Sequence, residues 1–355
     1  MNQVGQLPLR YCVPGMKVGE RVASGNDVIA RKGETLDDAL ICCMEKNDVG
    51  FVPILLTRDS QEVYDDFRVN KLCEQSLAEY ELGYKKLKRE LKRAFLSRSF
   101  SNARLRGIAS TLLDRASGVG KEGIFACVDG IRDVDEYLYT HSLNVALLAC
   151  QISAWVGIKG EDRLALVYAG LVHDIGKTRI DPKIISKPGA YDAEEMRIVK
   201  KHPQLGDEIL RKVEGLAPSV REAVLSHHEK INGSGYPRAL RGDDIHWHAR
   251  ILAICDIYDA MMADKVYSTR QSSFHVFDVF MSDRMNGNLD YELVNMFLNQ
   301  ISSAFVGRGV TLEDGRVGRI IHMNPKDYSR PMVQIGNIIL DTAAANIGIV
   351  DVFAS

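Results

Sequence analysis

The spacing of apolar residues divides the chain into four regions with different periodicities. Short alternating runs broken by Gly, Pro, Asn and Asp fill residues 1–68 and predict a small α+β module. Residues 69–118 carry a helical pattern, which predicts a helical linker. Helical spacing continues through 119–302, and strand-like alternation returns in 303–355. The pattern therefore predicts a mainly α protein with a small N-terminal α+β module and a short C-terminal β extension.

The linker region contains a seam of apolar side chains at alternating spacings of three and four. They are Leu77, Tyr80, Tyr84, Leu87 and Leu91. This spacing is typical of a coiled coil and indicates a seam through which the chain could form a homodimer. The same span is rich in lysine and arginine but lacks a base-reading motif, so we interpret these charges as a solvated helix face and expect no nucleic-acid partner.

Two local motifs predict where single elements begin or turn. Asp192 is followed three residues later by Glu195, which predicts the capping box of a helix start. Asp314 and Gly315 separate two alternating runs in "GVTLEDGRVGRIIHM", which predicts a β-hairpin. We expect this hairpin to belong to a small sheet that packs on the helices.

Composition and charge narrow the function only slightly. The 355 residues are 46% hydrophobic and 26% charged, which is typical of a globular protein. A net charge of -2 gives no reason to expect a nucleic-acid or anionic membrane partner. The N-terminus lacks a signal-peptide pattern and no apolar run could span a membrane, so we predict a cytoplasmic protein. Seven cysteines without a C-x-x-C pair favour reduced thiols.

Histidines supply the first sign of chemistry. Five of the nine lie in the helical region, namely His141, His173, His202, His227 and His228. Three of these positions, His173, His202 and the adjacent pair, are predicted to lie at or near the C-terminal ends of helices. A single helical histidine is usually structural, but that explanation does not account for the whole set.

Two aspartates accompany the histidines. Asp174 directly follows His173, and Asp256 lies within the otherwise apolar "RILAICDIYDAMM". An isolated buried carboxylate is very costly, so Asp256 must bind a metal or pair with a cation such as Arg250 or Lys265. Together the histidines and aspartates offer seven ligands, too many for one zinc ion and suitable for two first-row divalent metals.

Five separated motifs give these residues a family resemblance. They are "YTHSLNVA", "LVHDIGKTRI", "KKHPQLG", "SHHEKINGSGYP" and "ICDIYDAMMA", in this order. The set resembles the HD-GYP family, a branch of the HD-domain metal-dependent phosphohydrolases, over about residues 120–300. The resemblance implies a helical HD-type domain, placed here at 119–302, that hydrolyses cyclic di-GMP to linear pGpG and in some cases on to GMP.

The resemblance also implies a ligand set for each of two divalent metal ions. The ligands of one ion would be His141, His173, Asp174 and Asp256. The ligands of the other would be His202, His227, His228 and the bridging Asp174. The family favours iron or manganese, while the ligand types also accept zinc, nickel or cobalt. A hydroxide bridging the metals would attack the phosphodiester in line.

Further residues are assigned to catalysis and substrate binding by the same resemblance. Lys177, four residues after His173, would offset charge on a phosphate oxygen and join Asp174 as a catalytic residue. Tyr236, in the GSGYP loop, would lie near guanine or phosphate. The remaining expected substrate contacts are Asp259, Lys265 and Arg270.

The chain departs from the family pattern in two places. Family members commonly read S-x-R-P-Y-R/K after the "DIYDAM" helix, whereas this chain reads "ADKVYSTR", with Lys265 in place of arginine and Ser268 in place of a second base. Lysine lacks the bidentate fork of arginine, so the identity of the dinucleotide stays open. Members with three metals carry a glutamate where this chain has Tyr137, so we expect two metals.

The leading interpretation is therefore a metal-dependent cyclic di-GMP phosphodiesterase. The alternatives are a cyclic dinucleotide receptor with little turnover and a hydrolase of another cyclic dinucleotide, such as cyclic GMP-AMP. The complete ligand set favours the enzyme, whereas the altered "ADKVYSTR" favours the alternatives. The GSGYP loop disfavours a general HD nucleotide phosphohydrolase.

Overall fold

The structure is a computed structural model that divides into two compact units, Met1–Glu79 and Tyr80–Ser355. The residues that it describes are 4–9, 12–24, 27–47, 49, 51–57, 84–96, 101–118, 137–187, 189–264 and 274–353.

The N-terminal unit combines two antiparallel strand pairs with one helix. Its elements are β1 (Val4–Pro8), β2 (Val22–Ser24), β3 (Asp27–Ala30), α1 (Asp38–Lys46) and β4 (Phe51–Leu55). β1 pairs with β4, and β2 pairs with β3. The strands and the helix share one buried apolar core, which includes Leu7, Val18, Met44 and Ile54. The unit is the small α+β structure that the alternating pattern predicts.

The second unit is built mainly from helices. Its described α-helices are α2 (residues 84–96), α3 (Asn102–Gly118), α4 (Tyr137–Trp155), α5 (Gly160–Val172), α6 (Pro182–Ile185), α7 (Ala193–Val199), α8 (His202–Leu210), α9 (Pro218–Ser226), α10 (Trp247–Asp264), α11 (His275–Met285) and α12 (Tyr291–Ser302). Short 3-10 turns occupy Ile175–Arg179, Gly242–Asp244 and Ser303–Phe305. Within these described ranges, no helix combines the length and the hydropathy that a membrane crossing needs.

The core of the second unit lies around α4 and α5. Residues 141–150 and 165–172 are buried without interruption, which is typical of helices surrounded by other helices. A Cβ on Gly170 would lie 2.8 Å from the Cα of Ala146, so the missing side chain lets the two helices approach closely. This contact fixes the relative position of the helix that carries His141 and the helix that His173 follows.

The described part of the predicted apolar seam is buried within the second unit. Tyr84, Leu87 and Leu91 on α2 are each at most 5% exposed in a single chain. These side chains therefore stabilise the chain's own fold. Leu77 and Tyr80 lie outside the described residues, and homodimerisation stays a prediction.

The helix boundary before His202 differs from the sequence prediction. The pattern predicts one helix that ends at His202, but α7 ends at Val199 and α8 begins at His202. Pro203 explains the break because proline cannot continue a helix yet suits its first turn. Asp192 and Glu195 form the predicted capping box at the start of α7. His202 therefore lies at a helix start rather than at a helix end.

A five-stranded antiparallel sheet follows α12. Its strands are β5 (Gly309–Leu312), β6 (Val317–His322), β7 (Met332–Ile335), β8 (Ile338–Asp341) and β9 (Ile349–Phe353). They are ordered β8-β7-β6-β5-β9. Gly315, with φ of 83°, lies in the predicted turn between β5 and β6. The ring of Tyr328, in the loop between β6 and β7, stacks on Phe277 of α11 at 5.9 Å, so this loop packs on the helices.

The described elements confirm the predicted fold class. The chain is mainly α, with small strand-containing parts at its N-terminal and C-terminal ends. The residue boundaries assigned to the linker and to the helical domain from the sequence stay predictions.

Candidate metal centre

The candidate ligands converge from five separate helices of the second unit. His141 lies in the second turn of α4, and Asp256 lies in the middle of α10. His173 and His227 directly follow α5 and α9, as predicted, while His202 begins α8. Side chains that are distant in the sequence therefore meet in one buried cluster.

The ligand atoms of this cluster form two groups of three. Within each group, one nitrogen or oxygen atom from every residue lies within 4.8 Å of the others. The first group is His141, His173 and Asp174. The second group is His202, His227 and His228. The structure thus brings together three members of each of the two ligand sets that the resemblance implies.

Asp174 belongs to the first group and also reaches the second. Its Oδ2 is 3.4 Å from Nε2 of His173 and 3.6 Å from Nε2 of His141. Its Oδ1 is 3.3 Å from Nε2 of His202 in the second group. Among the described residues, no donor bonds this buried Oδ1. One oxygen toward each group is the arrangement expected of a carboxylate that bridges two cations.

Asp256 completes the first group from α10. Its Oδ1 lies 3.0 Å from Nε2 of His141 and 3.9 Å from Nε2 of His173. Its Oδ2 lies 3.8 Å from Nδ1 of His228. Arg250, one of the two ion-pair partners considered from the sequence, pairs with other carboxylates, and the other, Lys265, lies outside the described residues. Asp256, whose place in an apolar helix requires a partner, therefore faces the histidines.

Backbone carbonyls determine which nitrogen of three histidines faces the cluster. The Nδ1 atoms of His173, His202 and His227 lie 2.8, 2.8 and 2.7 Å from carbonyl oxygens three residues earlier in the chain. A carbonyl only accepts hydrogen bonds, so each Nδ1 carries the proton and donates. Each Nε2 is then a lone-pair site directed into the cluster.

Two pairs of Nε2 atoms face one another across short gaps. The gap is 3.2 Å between His141 and His173, and 3.2 Å between His202 and His227. In the second pair both protons are used on the backbone, so two lone pairs face each other without a hydrogen between them. This contact is repulsive unless a cation lies near both atoms. Imidazole and carboxylate donors suit first-row divalent metals, so the residues fit two such ions.

Burial keeps the second group neutral at physiological pH. Loss of hydration lowers the pKa of His202 to about 3 and the pKa of His228 to about 4. The same cause holds the pKa of His227 well below its ordinary value. Neutral imidazoles are the form that binds metals, so these residues need lose no proton on metal binding.

The pKa of His141 is raised rather than lowered, and the carboxylate of Asp259 lies beside its Nδ1. Burial acts to lower the pKa of His141, but Asp256 and Asp259 together outweigh it and raise that pKa to about 10. Nδ1 of His141 donates to Oδ2 of Asp259 at 2.7 Å, and Oδ1 of Asp259 accepts from Asn144 at 2.8 Å. Asp259 is 3% exposed with both oxygens occupied. This placement favours a role in orienting His141 over the substrate contact that the sequence analysis assigned to Asp259.

Lys177 reaches back from the 3-10 turn to the bridging carboxylate. Its Nζ donates to Oδ2 of Asp174 at 2.6 Å, while 24% of its side chain stays exposed. Burial acts to lower the pKa of Lys177, but the carboxylate of Asp174 raises it overall, so the lysine is an ammonium. Burial likewise acts to raise the pKa of Asp174, but Lys177 and the nearby histidines hold that pKa well below its ordinary value.

One side of the cluster is open to solvent. The side chains of His228, Asp256 and Lys177 are 25%, 17% and 24% exposed, whereas the other ligands are almost fully buried. Tyr236 stacks on His228 with ring centroids 4.8 Å apart, and Nζ of Lys200 lies 5.3 Å from the Tyr236 ring. A substrate must therefore approach over this side, beside Tyr236.

A buried glutamate holds the GSGYP loop next to the cluster. Glu229 accepts hydrogen bonds from the backbone N–H groups of Arg238 at 2.7 Å and Leu240 at 3.0 Å. The backbone N–H of Tyr236 donates to the carbonyl of His228 at 3.2 Å. These bonds fix the Tyr236 ring over His228. Glu229 is not among the residues predicted from the sequence, although its place directly after the histidine pair is a usable signal.

The remaining predicted substrate residues are not part of this geometry. Lys265 and Arg270 lie outside the described residues, as does Ser268. Tyr137, at the position where three-metal family members carry a glutamate, is the first residue of α4. Their roles stay predictions.

Comparison with known proteins identifies the helical region. A family model described as HD domain matches residues 126–293. A cyclic di-GMP phosphodiesterase of Pseudomonas aeruginosa is 31% identical over 205 residues, which cover 58% of this chain and 49% of that protein. A 3'3'-cGAMP-specific phosphodiesterase of Vibrio cholerae is 29% identical over 243 residues, which cover 68% of this chain and 46% of that protein. The chain spans about half the length of these curated relatives.

A solved structure shares the fold. An HDG"Y"P protein from Bdellovibrio bacteriovorus matches with a TM-score of 0.54 and 15% sequence identity, over 84% of this chain and 99% of that chain. The family match, the relatives and this fold agree with the five sequence motifs and with the cluster that they build. Residues 126–293 therefore match the HD-domain family model, and the HD-GYP branch is the one that the five sequence motifs resemble.

Proposed function

We propose that this protein is a metal-dependent phosphodiesterase that hydrolyses cyclic di-GMP to linear pGpG. The observation that carries the proposal is the pair of three-residue ligand groups, with Asp174 of the first group also reaching the second. The facing Nε2 lone pairs of His202 and His227, 3.2 Å apart, repel each other unless one cation binds both, and a carboxylate that reaches both groups suits two cations. The names of the relatives support the choice of a cyclic dinucleotide as substrate.

The ligands would hold two divalent metal ions. The first ion would be bound by His141, His173, Asp174 and Asp256. The second would be bound by Asp174, His202, His227 and His228. Bound there, the ions would supply the Lewis acidity that makes water an effective nucleophile at neutral pH and offsets phosphate charge. The resemblance to the HD-GYP family favours iron or manganese, and zinc, nickel and cobalt are the alternatives.

Lys177 would act directly on the phosphate. Its ammonium has three donor hydrogens and gives one of them to Asp174, so two remain for a non-bridging phosphate oxygen on the open side. A fixed cation at this point stabilises the negative charge that grows in the transition state. Because Asp174 holds the ammonium in place, little reorganisation is needed when the substrate arrives.

Tyr236 would form one wall of the substrate site. Its ring is held by the stacking on His228, and it borders the open side of the cluster. A guanine base could pack on the free part of this ring, or the hydroxyl could bond a phosphate. We further propose that Lys265 and Arg270 contact the dinucleotide phosphates. The two-metal ligand set favours pGpG over GMP as the main product.

A second candidate substrate is 3'3'-cGAMP. The Vibrio cholerae relative named for that nucleotide is 29% identical over 68% of this chain, and the cyclic di-GMP phosphodiesterase is 31% identical over 58%, so the two relatives are comparably similar to it. The two nucleotides share the phosphodiester on which the metals would act. Residues that contact the bases would therefore decide between them.

Product analysis tests the proposal. Metal-free protein is reloaded without oxygen with Fe(II) or Mn(II) and incubated with cyclic di-GMP or with 3'3'-cGAMP, and the products are separated by chromatography. Asp174→Asn removes the bridging charge, and Asp278→Asn makes the same change at an exposed position on α11. We expect pGpG from the wild type and from Asp278→Asn, but none from Asp174→Asn.

Two outcomes would contradict the proposal. Tight binding of cyclic di-GMP without turnover in both metal forms would identify a receptor instead. Faster conversion of 3'3'-cGAMP than of cyclic di-GMP would keep the reaction type and change the substrate.

A further inference from the structure

A path of buried hydrogen bonds connects α2 with the first ligand group. The hydroxyl of Tyr84 on α2 lies 3.0 Å from Oδ1 of Asn144 on α4. Nδ2 of Asn144 donates to Oδ1 of Asp259 on α10 at 2.8 Å. Oδ2 of Asp259 accepts from Nδ1 of His141 at 2.7 Å. The path therefore runs through three helices and ends on a metal ligand.

Each member of this path determines the orientation of the next. The carboxylate of Asp259 only accepts, so Asn144 must present its NH2 group to it and turn its oxygen toward Tyr84. The Tyr84 hydroxyl then donates to that oxygen, and it shares its proton with the carbonyl of Thr140 at 3.0 Å. The same logic makes Nδ1 of His141 the donor and leaves its Nε2 for a metal.

Burial makes the path sensitive to the loss of any member. Tyr84, Asn144, Asp259 and His141 are 1%, 2%, 3% and 2% exposed. Water cannot replace a missing partner at such depth, and hydrogen bonds in a low dielectric strengthen one another. A donor lost from Tyr84 therefore changes how firmly Asn144 holds the carboxylate behind His141.

We propose that Tyr84 and Asn144 are positioning residues that set the orientation and ligand strength of His141 through Asp259. Because Tyr84 lies on α2, the position of this helix is coupled to the first ligand group. The proposal rests on the metal site of the proposed function, but not on the identity of its substrate. Along the chain, α2 is the described helix of the second unit nearest to Glu79, where the N-terminal unit ends. A displacement of α2 therefore alters metal binding.

A matched pair of variants isolates the hydroxyl of Tyr84. Tyr84→Phe keeps the buried ring and removes only the oxygen that bonds Asn144. Tyr168→Phe makes the same change on α5, where the tyrosine is 4% exposed and its hydroxyl bonds no partner within the described ranges. Both variants lose one buried hydroxyl, so a general effect of such a loss would appear in both.

The main readout is metal affinity rather than activity. Full-length wild type and variants are titrated with Co(II) against a competing chelator, and the visible absorption of bound Co(II) reports the geometry of its ligands. We expect Tyr84→Phe to weaken one of two binding steps about tenfold and to shift the Co(II) spectrum, since residues behind metal ligands typically contribute about 10- to 100-fold. The affinity of the other Co(II) binding step in Tyr84→Phe should match the wild type. Tyr168→Phe should match the wild type in both Co(II) affinity and Co(II) spectrum.

A double-mutant cycle tests whether the effect travels along the path. Asp259→Asn removes the carboxylate, so adding Tyr84→Phe to it should cost little further affinity. Asn144→Gln keeps an amide group but displaces it by one methylene, so it cannot bond both Tyr84 and Asp259. Its Co(II) affinity and spectrum should therefore resemble those of Tyr84→Phe. Thermal unfolding of every variant shows that the fold is retained.

Three results would overturn the proposal. One is equal Co(II) affinity and spectrum in Tyr84→Phe and Tyr168→Phe. Another is full additivity of the Tyr84→Phe and Asp259→Asn effects. The third is a wild type that binds no Co(II). A wild type that binds two Co(II) ions but hydrolyses no cyclic dinucleotide would instead refute the proposed function and leave the affinity comparison valid.

Discussion

Gly176 is the point where the HD motif and the start of α8 touch through their backbones. It lies two residues after Asp174, in the 3-10 turn that Lys177 shares. A Cβ at Gly176 would lie 1.9 Å from the carbonyl oxygen of His202 and 2.6 Å from the backbone nitrogen of Gly206. Backbone atoms cannot rotate away as a side chain can, so Gly176→Ala must push the turn and α8 apart.

The required displacement is large on the scale of metal coordination. Ordinary contact with a Cβ begins at 3.4 Å, so a separation of 1.9 Å has to grow by about 1.5 Å. Since Asp174 precedes the turn and His202 begins α8, the change separates the bridging carboxylate from the second ligand group. Metal sites tolerate deviations of only about 0.2 Å in ligand distance. A misplacement of about 1 Å can cost roughly a hundredfold in rate.

We therefore expect Gly176→Ala to lose bound metal and at least about a hundredfold of its activity on cyclic di-GMP. Its free energy of unfolding should fall by about 1–3 kcal/mol, as for other overpacked sites. Metal per chain is measured by mass spectrometry after gel filtration, activity by product chromatography, and stability by urea unfolding.

Alanine at two further glycines gives a smaller steric clash and no clash, for comparison with Gly176→Ala. In Gly206→Ala, the Cβ would lie 3.0 Å from a side-chain methyl of Val224, which can adjust, so the losses should be smaller. Gly107 lies on an exposed part of α3 with nothing within 4 Å of its Cβ position, so Gly107→Ala should keep metal and activity. Wild-type metal content and turnover in Gly176→Ala would refute the reasoning. If Gly176→Ala fails to fold, Gly206→Ala carries the test.

Four other predictions concern single groups. Lys177→Gln should keep both metals and lower kcat/KM for cyclic di-GMP by about a hundredfold, since it removes charge stabilisation at the phosphate; lost metal would point to a structural role. The pKa of His141 is raised to about 10, so a metal ion must displace its proton. Competition with a chelator should therefore show metal affinity rising about tenfold per pH unit between about pH 7 and 9. A metal affinity that does not change with pH would contradict this. The folded pKa values of His202, about 3, and His228, about 4, lie below the ordinary 6.5, so the unfolded chain binds more protons as pH falls. The urea stability of the metal-free protein should therefore be retained above pH 6.5 and decline toward pH 4, and an increase over that range would show the sign to be wrong. Glu229→Ala leaves two backbone N–H groups without their acceptor, so it should destabilise the fold by about 1–3 kcal/mol and raise KM while metal content stays constant.

The metal ligands could be predicted because their chemistry restricts their residue type. Only histidine and carboxylate side chains suit such ions, and a carboxylate such as Asp256 within an apolar helix requires a partner. The order of the five motifs then distinguishes the five candidate histidine ligands from the other four histidines of the chain. The break before His202 was also readable, since Pro203 is a strong helix-start signal that the apolar spacing concealed.

The groups behind the ligands could not be assigned in the same way. Tyr84 and Asn144 stand 60 positions apart, and apolar spacing shows that such residues are buried but not what their polar atoms meet. Asp259 lies three residues after Asp256 on the same face of α10, yet spacing alone does not show depth below the surface. Asp259 is expected at the substrate from the family resemblance, whereas in the structure its carboxylate accepts a hydrogen bond from His141.

The one-sided opening of the cluster determines the route by which the proposed metal ions would enter and leave. His228, Asp256 and Lys177 line the exposed side, and the other ligands are enclosed by helices. In the proposed function, the ions and the dinucleotide would therefore use the same entrance. The ions would have to bind before the substrate, and a bound substrate would then shield them from chelators that remove them from the free protein.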